Sequence, residues 1–467
     1  MFARAASALL ALALVPAPAL AAKVIVVNGD PPGVGFNDPT PATPIGGNPG
    51  MTVGQQALNV FQAAADVWGS RLVSVQPILV ISFFTPLPCD ATSGVLGAAG
   101  ANWYFANIDP ATGGKPLASD TWYPAALAEK ITRQDIVADP ADPFEVFSLF
   151  NSELGKPGCL QSRAWYYGLD NNQPANGIDL LAVVLHEFGH GLGFSVGPTN
   201  SNRGERALGF PSVWESQMLD TTTGKRWIDM TDAERAASAR NNLNLVWAGR
   251  KASNVVPSTL DFGLVVNVLE PAAVDPGEAF PAAFGPPVGP GSLRAPVVSP
   301  DDGGGVSPLD GCEPFAPDGS IVGSIVLMDR GTCGFTTKVK NAQDAGAVAA
   351  IIANNAPGIV LMAGTDLSVV IPSVSVMQEF GAALRAALAD GTVLANLRKN
   401  TRVRAGTVFN FPRLYAPTAF AGGSSVSHWD TSATPNMLME PFITPNLTSS
   451  VKNPDDLSWS LLRDIGW

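Results

Sequence analysis

Only three histidines occur in the 467-residue chain, and two of them, His186 and His190, stand four positions apart in the pentad His186-Glu187-Phe188-Gly189-His190. Residues at i and i+4 of a helix project from one face, so both imidazoles can reach a single metal ion. Leu180, Leu181, Val184 and Phe188 give this helix an apolar surface. Asn176 is placed to cap it and Asp179 falls in its first turns. Gly191 and Gly193 predict that the helix stops just after the second histidine. A catalytic zinc site takes three protein ligands and keeps one position open. The third must come from elsewhere. His428, the remaining histidine, is the leading choice by scarcity. Glu215 competes, although Pro211 and its turn-forming neighbours leave its helix poorly defined.

A pentad of this form in an apolar helix points to one zinc ion and hydrolytic chemistry. Glu187, next to the first ligand, is the expected proton acceptor from water and the later donor to a departing amine. Neutral imidazoles need hydrogen-bond acceptors behind them to hold their tautomers, and the sequence alone does not identify these. Structural calcium has no support beyond acidic stretches such as residues 139–142, which read as a solvated turn.

Acidic residues outnumber basic ones by 40 to 28, and the basic ones form no block beyond the locally basic residues 398–404, so a nucleic-acid surface is not expected. Residues 1–21 carry Arg4, an apolar run and Ala19-Leu20-Ala21, the pattern of a secretory signal peptide. The product is therefore expected to be secreted or extracellular, with a periplasmic or cell-surface location as the alternative. No later apolar run is long enough to cross a bilayer. Export permits disulfides. Four cysteines allow three complete pairings; close spacing favours Cys312 with Cys333, leaving Cys89 with Cys159, and reduced buried cysteines are the alternative.

Hydropathy patterning predicts an edge strand over residues 23–28, a helix over 52–72 and a strand over 77–84. Residues 85–175 offer only short elements. A further helix is expected over 231–245, and the Pro- and Gly-rich residues 275–305 read as a domain entrance or irregular loop. Beyond it, 321–327 and 348–352 resemble buried strands, with helices over 337–345 and 379–388.

The segments HEFGHGLGF at residues 186–194 and SHWDTSATPNMLMEP at 427–441 resemble the metzincin metallopeptidases, especially the leishmanolysin-like branch. Val196 stands where the compact metzincin pattern has its third histidine. The leishmanolysin-like pattern supplies that ligand after a long insertion. The resemblance then implies His428 as the ligand and Met439, with Met437 as a nearby alternative, as the methionine beneath the zinc. The insertion itself resembles a protease-associated (PA) domain through residues 311–355, including DRGTCGFTTKVKNAQDAGA. Such modules are mixed α/β and associated with substrate access or regulation.

The implied fold class is α+β, a metzincin-like zinc peptidase domain interrupted by a PA domain. Its expected limits are 1–21 for the signal peptide, 22–265 for the first peptidase part, 266–402 for the PA domain with its linker, and 403–467 for the return. The implied activity is zinc-dependent endopeptidase action on peptides or proteins. The rival readings are a noncatalytic exported binding protein and a zinc-dependent hydrolase of nonpeptide amides. Oligomeric partners are not indicated.

Overall fold

Apolar residues at every second position build the first sheet. Strand β1 (Val24–Asn28) pairs with β2 (Ile78–Thr85), where Ile78, Val80, Ser82 and Phe84 form the buried set and their neighbours face the other way. The computed structural model describes residues 21–137, 139–444, 447 and 449–467, so nearly all of the expected signal peptide lies outside the described residues. Strands β3 (Gly97–Ala101) and β4 (Val146–Asn151) complete a sheet of order β1-β2-β4-β3. The first three of these neighbours run parallel, and β3 runs antiparallel along the edge. Inside the sheet Ser82 and Ser148 share a 2.8 Å hydroxyl hydrogen bond, which satisfies two buried polar groups.

Two helices cover one face. Helix α1 (Val53–Gly69) is capped by the Thr52 hydroxyl, which accepts from the Gln55 amide, and it buries Val60, Phe61, Ala64, Ala65 and Trp68. Helix α2 (Leu180–Gly191) is buried almost all round, so it is the central helix of the domain. Phe61 packs against Phe36, Phe84, Phe150 and Phe188 at centroid distances of 4.6–6.0 Å, joining α1, the sheet and α2. The cap of α2 is Asp179, whose carboxylate accepts from the Leu181 amide at 2.9 Å; the expected cap, Asn176, lies outside the helix. Residues 177–179 form a short strand instead, which delays the start of the helix. The helix does end at Gly191, and Gly193 turns the chain with φ of +114°.

A second body begins where the chain leaves helix α3 (Arg250–Thr259). Seven strands close a barrel: β5 (Phe262–Glu270), β6 (Gly277–Pro281), β7 (Leu293–Val298), β8 (Ile325–Asp329), β9 (Ala349–Ala353), β10 (Ser373–Val376) and β11 (Val393–Arg404), in the order β5-β6-β10-β9-β8-β7-β11. Strands β8 and β9 are apolar at successive positions because both faces are covered. Ile325, Leu327, Ala349 and Ile351 join the core shared with helix α5 (Gln378–Asp390), while Val326, Met328, Ala350 and Ile352 pack with Val339 and Ala342 of helix α4 (Phe335–Asp344). The entering and leaving strands β5 and β11 pair with each other, so the excursion starts and ends at one neck. The chain then returns, and its last helix, α6 (Ser458–Ile465), packs on α3; the Trp467 indole donates to the Leu192 carbonyl.

Two local expectations are corrected. Residues 275–305 are not an irregular entrance, since they carry β6 and β7, whose pairing with neighbouring strands outweighs a Pro- and Gly-rich composition. The helix expected over 231–245 is confined to Asp232–Ser238, and Leu245–Trp247 is a strand paired with Met218–Asp220. The disulfides are Cys89–Cys159 and Cys312–Cys333.

Close packing under α2 gives a test. A Cβ placed on Gly191 would lie 2.2 Å from one Val146 methyl and 2.8 Å from the other, and a β-branched side chain has little freedom to withdraw. Gly191→Ala is expected to destabilise the fold by about 1–3 kcal/mol, as overpacked sites do, and Val146→Ala in the same chain to restore part of the loss. Thermal unfolding of the three variants checks this; an unchanged midpoint for Gly191→Ala alone contradicts it.

Candidate metal centre

His186 and His190 leave the same face of α2, and His428 arrives from the returning segment to meet them. Their Nε2 atoms form a triangle with sides of 3.2, 3.1 and 3.2 Å. Behind each ring the Nδ1 atom lies against a backbone carbonyl: Leu438 for His186 at 2.7 Å, Phe194 for His190 at 2.8 Å and Ser424 for His428 at 2.8 Å. A carbonyl can only accept, so each Nδ1 holds the proton and each neutral ring turns a bare Nε2 lone pair toward the other two.

Three converging lone pairs repel unless a cation sits among them. Nitrogen ligands at 2.0–2.1 Å around a tetrahedral zinc would be about 3.3 Å apart, close to the observed triangle. The donor set therefore fits zinc. Burial holds the rings in the neutral form that metal binding needs, pushing His186 down to about 4 and His190 to about 3, with His428 also lowered.

Glu187 sits one residue along α2, pointing to the edge strand. A Cβ on Gly97 of β3 would stand 2.7 Å from its carboxylate, and the Ala99 amide of the same strand donates to it. Only glycine at position 97 leaves room for that carboxylate. Burial raises Glu187 to about 8, with the Ala99 hydrogen bond acting in the opposite direction. Met439 lies beneath the helix: a Cβ on Gly189 would be 2.7 Å from its sulfur. Met437 is also buried, in the same turn.

Glu215, the competing ligand, is elsewhere. It is paired with Arg206 at 2.7 Å and accepts from the Thr199 hydroxyl and the Ser212 amide, so it has no free oxygen for a metal. Sequence reasoning did not find the three carbonyls behind the rings, because any residue type offers one. It also missed Asp456, whose carboxylate accepts from the Leu438 amide at 2.7 Å and so holds the residue behind His186. A second acidic group, Asp302, Asp310 and Glu313, lies in the barrel, where the buried Lys338 ammonium stands 3.9 Å from Asp310. Residues 139–142 form a turn, with the Asp142 amide donating to the Asp139 carbonyl.

Residues 293–384 match the PA domain family. Among curated proteins, the chain is 38% identical over 90 residues to Signal peptide peptidase-like 2 of Arabidopsis thaliana, covering 18% of this chain and 16% of that protein. It is 35% identical over 126 residues to Signal peptide peptidase-like 4 of Oryza sativa subsp. japonica, covering 26% and 23%. It is 35% identical over 106 residues to Probable leucine aminopeptidase 2 of Aspergillus fumigatus, covering 21% of each. The chain thus spans less than about a quarter of the length of these relatives. Among solved structures, BSAP, a zinc aminopeptidase from Bacillus subtilis, aligns with a TM-score of 0.23 and 24% identity over 33% of this chain and 38% of that one. An aminopeptidase from Aneurinibacillus sp. aligns with a TM-score of 0.21 and 22% identity over 32% and 37%. Scores this low carry no argument about the fold of the rest of the chain.

The match over residues 293–384 bears out the expected PA domain. The leishmanolysin-like metzincin reading and the metzincin-type fold implied with it are corrected: the matched family supports the PA module and not that catalytic domain. The physical reason is that the quoted motif is one turn of helix with a nearby loop, and such a ligand geometry can be built on unrelated folds. What stands is an α+β chain with a PA domain and a histidine cluster suited to a zinc-dependent hydrolase. Among the described residues no helix is long and apolar enough to cross a membrane.

The tautomers can be tested directly. Because burial lowers the ring pKa values below the ordinary 6.5, the metal-free protein is expected to keep all three histidines neutral and Nδ1-protonated at about pH 6. Nitrogen-detected imidazole spectra check this, and a ring midpoint near 6.5 contradicts it. His428→Ala is expected to lower zinc occupancy sharply. Unchanged occupancy, measured by elemental analysis, removes His428 from the ligand set.

Proposed function

We propose that this protein is a zinc-dependent endopeptidase. The observation that carries the reading is the triangle of Nε2 atoms with Glu187 held beside it at an edge strand. His186, His190 and His428 would hold one zinc ion, which supplies Lewis-acid polarisation of a scissile carbonyl and acidifies water.

The chain's own residues provide the rest. The Glu187 carboxylate takes the proton from attacking water and delivers it to the departing amine. Its raised proton affinity, set by burial, suits a group that must both take and return a proton near neutral pH. The three carbonyls behind the rings keep the imidazoles from turning as charge develops. Met439 packs beneath the helix as a soft apolar floor and has no chemical step.

Strand β3 supports a peptide substrate. It forms the antiparallel edge of its sheet and passes directly over Glu187, so an extended chain can pair with its free side and present a bond to the site. An edge strand imposes no end on the chain lying along it, which favours cleavage within a chain. On this reading, the acidic balance of the sequence plays no part in substrate choice.

Purified protein with zinc is expected to cleave members of a peptide library at internal bonds. Glu187→Gln should retain zinc and lose about 10²–10⁴-fold in kcat, the usual worth of a positioned acid–base group. Full activity in a folded, zinc-loaded Glu187→Gln protein rejects the mechanism. Release of terminal residues alone rejects the endopeptidase assignment.

A further inference from the structure

The barrel grips the segment that delivers the third histidine. Glu278 on β6 makes a two-pronged ion pair with Arg413, with Nη1 donating to Oε1 at 2.7 Å and Nη2 to Oε2 at 2.9 Å. The Arg413 side chain is only 9% exposed and that of Glu278 33%, so the pair is partly withdrawn from water and weakly screened.

The main chain of Arg413 continues the connection. Its carbonyl accepts from the Asp430 amide at 3.0 Å, and the Tyr415 amide donates to the His428 carbonyl at 2.9 Å. Residues 413–415 therefore pair with 428–430, with Leu414 opposite Trp429. The Arg413 guanidinium also reaches the Ser432 hydroxyl at 3.4 Å. At the neck, the Asp261 amide donates to the Thr434 carbonyl at 2.7 Å and the Ala405 amide to the Asp261 carbonyl at 2.9 Å. Gly406 stands so close to Ala433 that a Cβ there would lie 2.7 Å from its Cα. Apart from the Ala405–Asp261 bond, which closes the neck itself, these contacts land on the His428 segment, on the segment bridged to it or just beyond it. His186 and His190, by contrast, ride on a helix whose own hydrogen bonds place them.

We propose that Glu278 and Arg413 are positioning residues through which the PA-domain barrel sets the placement of His428, and with it metal affinity and turnover. A shift of β6 within the barrel moves Arg413, and Arg413 moves the bridged segment that carries His428. The inserted barrel is then a control element on one ligand of three, so its occupancy by another molecule is read out at the metal. This inference rests on the assignment of the three histidines as zinc ligands.

The test measures zinc affinity by chelator competition and the cobalt(II) absorption spectrum of the full chain. Glu278→Gln keeps the shape of the side chain and removes its charge. It is expected to weaken zinc binding about tenfold, to alter the cobalt spectrum, and to lower kcat with KM little changed. Asp329→Asn, which breaks the Asp329–Arg385 ion pair within the barrel, is the control and should leave zinc affinity unchanged. Arg413→Lys should weaken binding comparably, and the double variant should be no worse than the worse single variant. Where Arg413→Lys fails to fold, Glu278→Gln and its control carry the test. Zinc affinity within twofold of the parent for Glu278→Gln, or an equal loss in Asp329→Asn, overturns the coupling while leaving the metal centre intact. A parent protein that takes up no zinc overturns both.

Discussion

The arrangement on which the site depends is the set of three Nδ1–H···O=C hydrogen bonds behind the imidazoles. A histidine ring has two nitrogens and two neutral tautomers, and only an acceptor that cannot donate settles which one forms. A backbone carbonyl is such an acceptor, and it stays neutral at every pH. The protein uses one from the turn after α2, one from the loop before His428 and one from the turn after it. The metal-binding face is therefore set by the path of the main chain in three places, and the path must be held by something further. Asp456 does this for Leu438, and the Trp429 amide, bonded to the Met439 carbonyl, ties the two halves of the return together.

Burial serves this arrangement twice. It strips water from the rings, which disfavours their charged form and leaves the lone pairs free for a cation. It also raises the proton affinity of Glu187, and a cation at the histidines would pull in the opposite direction. The working balance at Glu187 thus depends on the metal being present. The same burial that makes the cluster unfavourable when empty makes it selective for a ligand carrying positive charge.

Much of the local structure was readable in the sequence, because it follows from patterns with a period. The strand over Val24–Asn28, the helices over Val53–Gly69 and Leu180–Gly191, and the buried strands of the barrel all announce themselves by alternation, by helical spacing or by apolar runs. Strands β6 and β7 were not readable, since five or six residues among prolines and glycines become strands only through their partners. The three histidines could be singled out because the chain has no others. The PA domain could be singled out too, but the peptidase family could not. A motif set by metal geometry repeats wherever that geometry is needed, whereas the match over residues 293–384 runs through several packed strands and helices of one module.

The order of the chain explains why the barrel should matter to the metal centre. Two of the candidate ligands, His186 and His190, are local to α2 and form with it. The third candidate, His428, lies on the far side of an insertion whose two ends meet at a neck, next to a bridge between Leu414 and Trp429. A residue on such an irregular segment has fewer local hydrogen bonds to hold it than one in a helix, so it borrows rigidity from what it touches. Here the segment bridged to it meets the barrel through the Arg413–Glu278 pair, and the chain beyond it meets the neck through the Asp261–Thr434 main-chain bond.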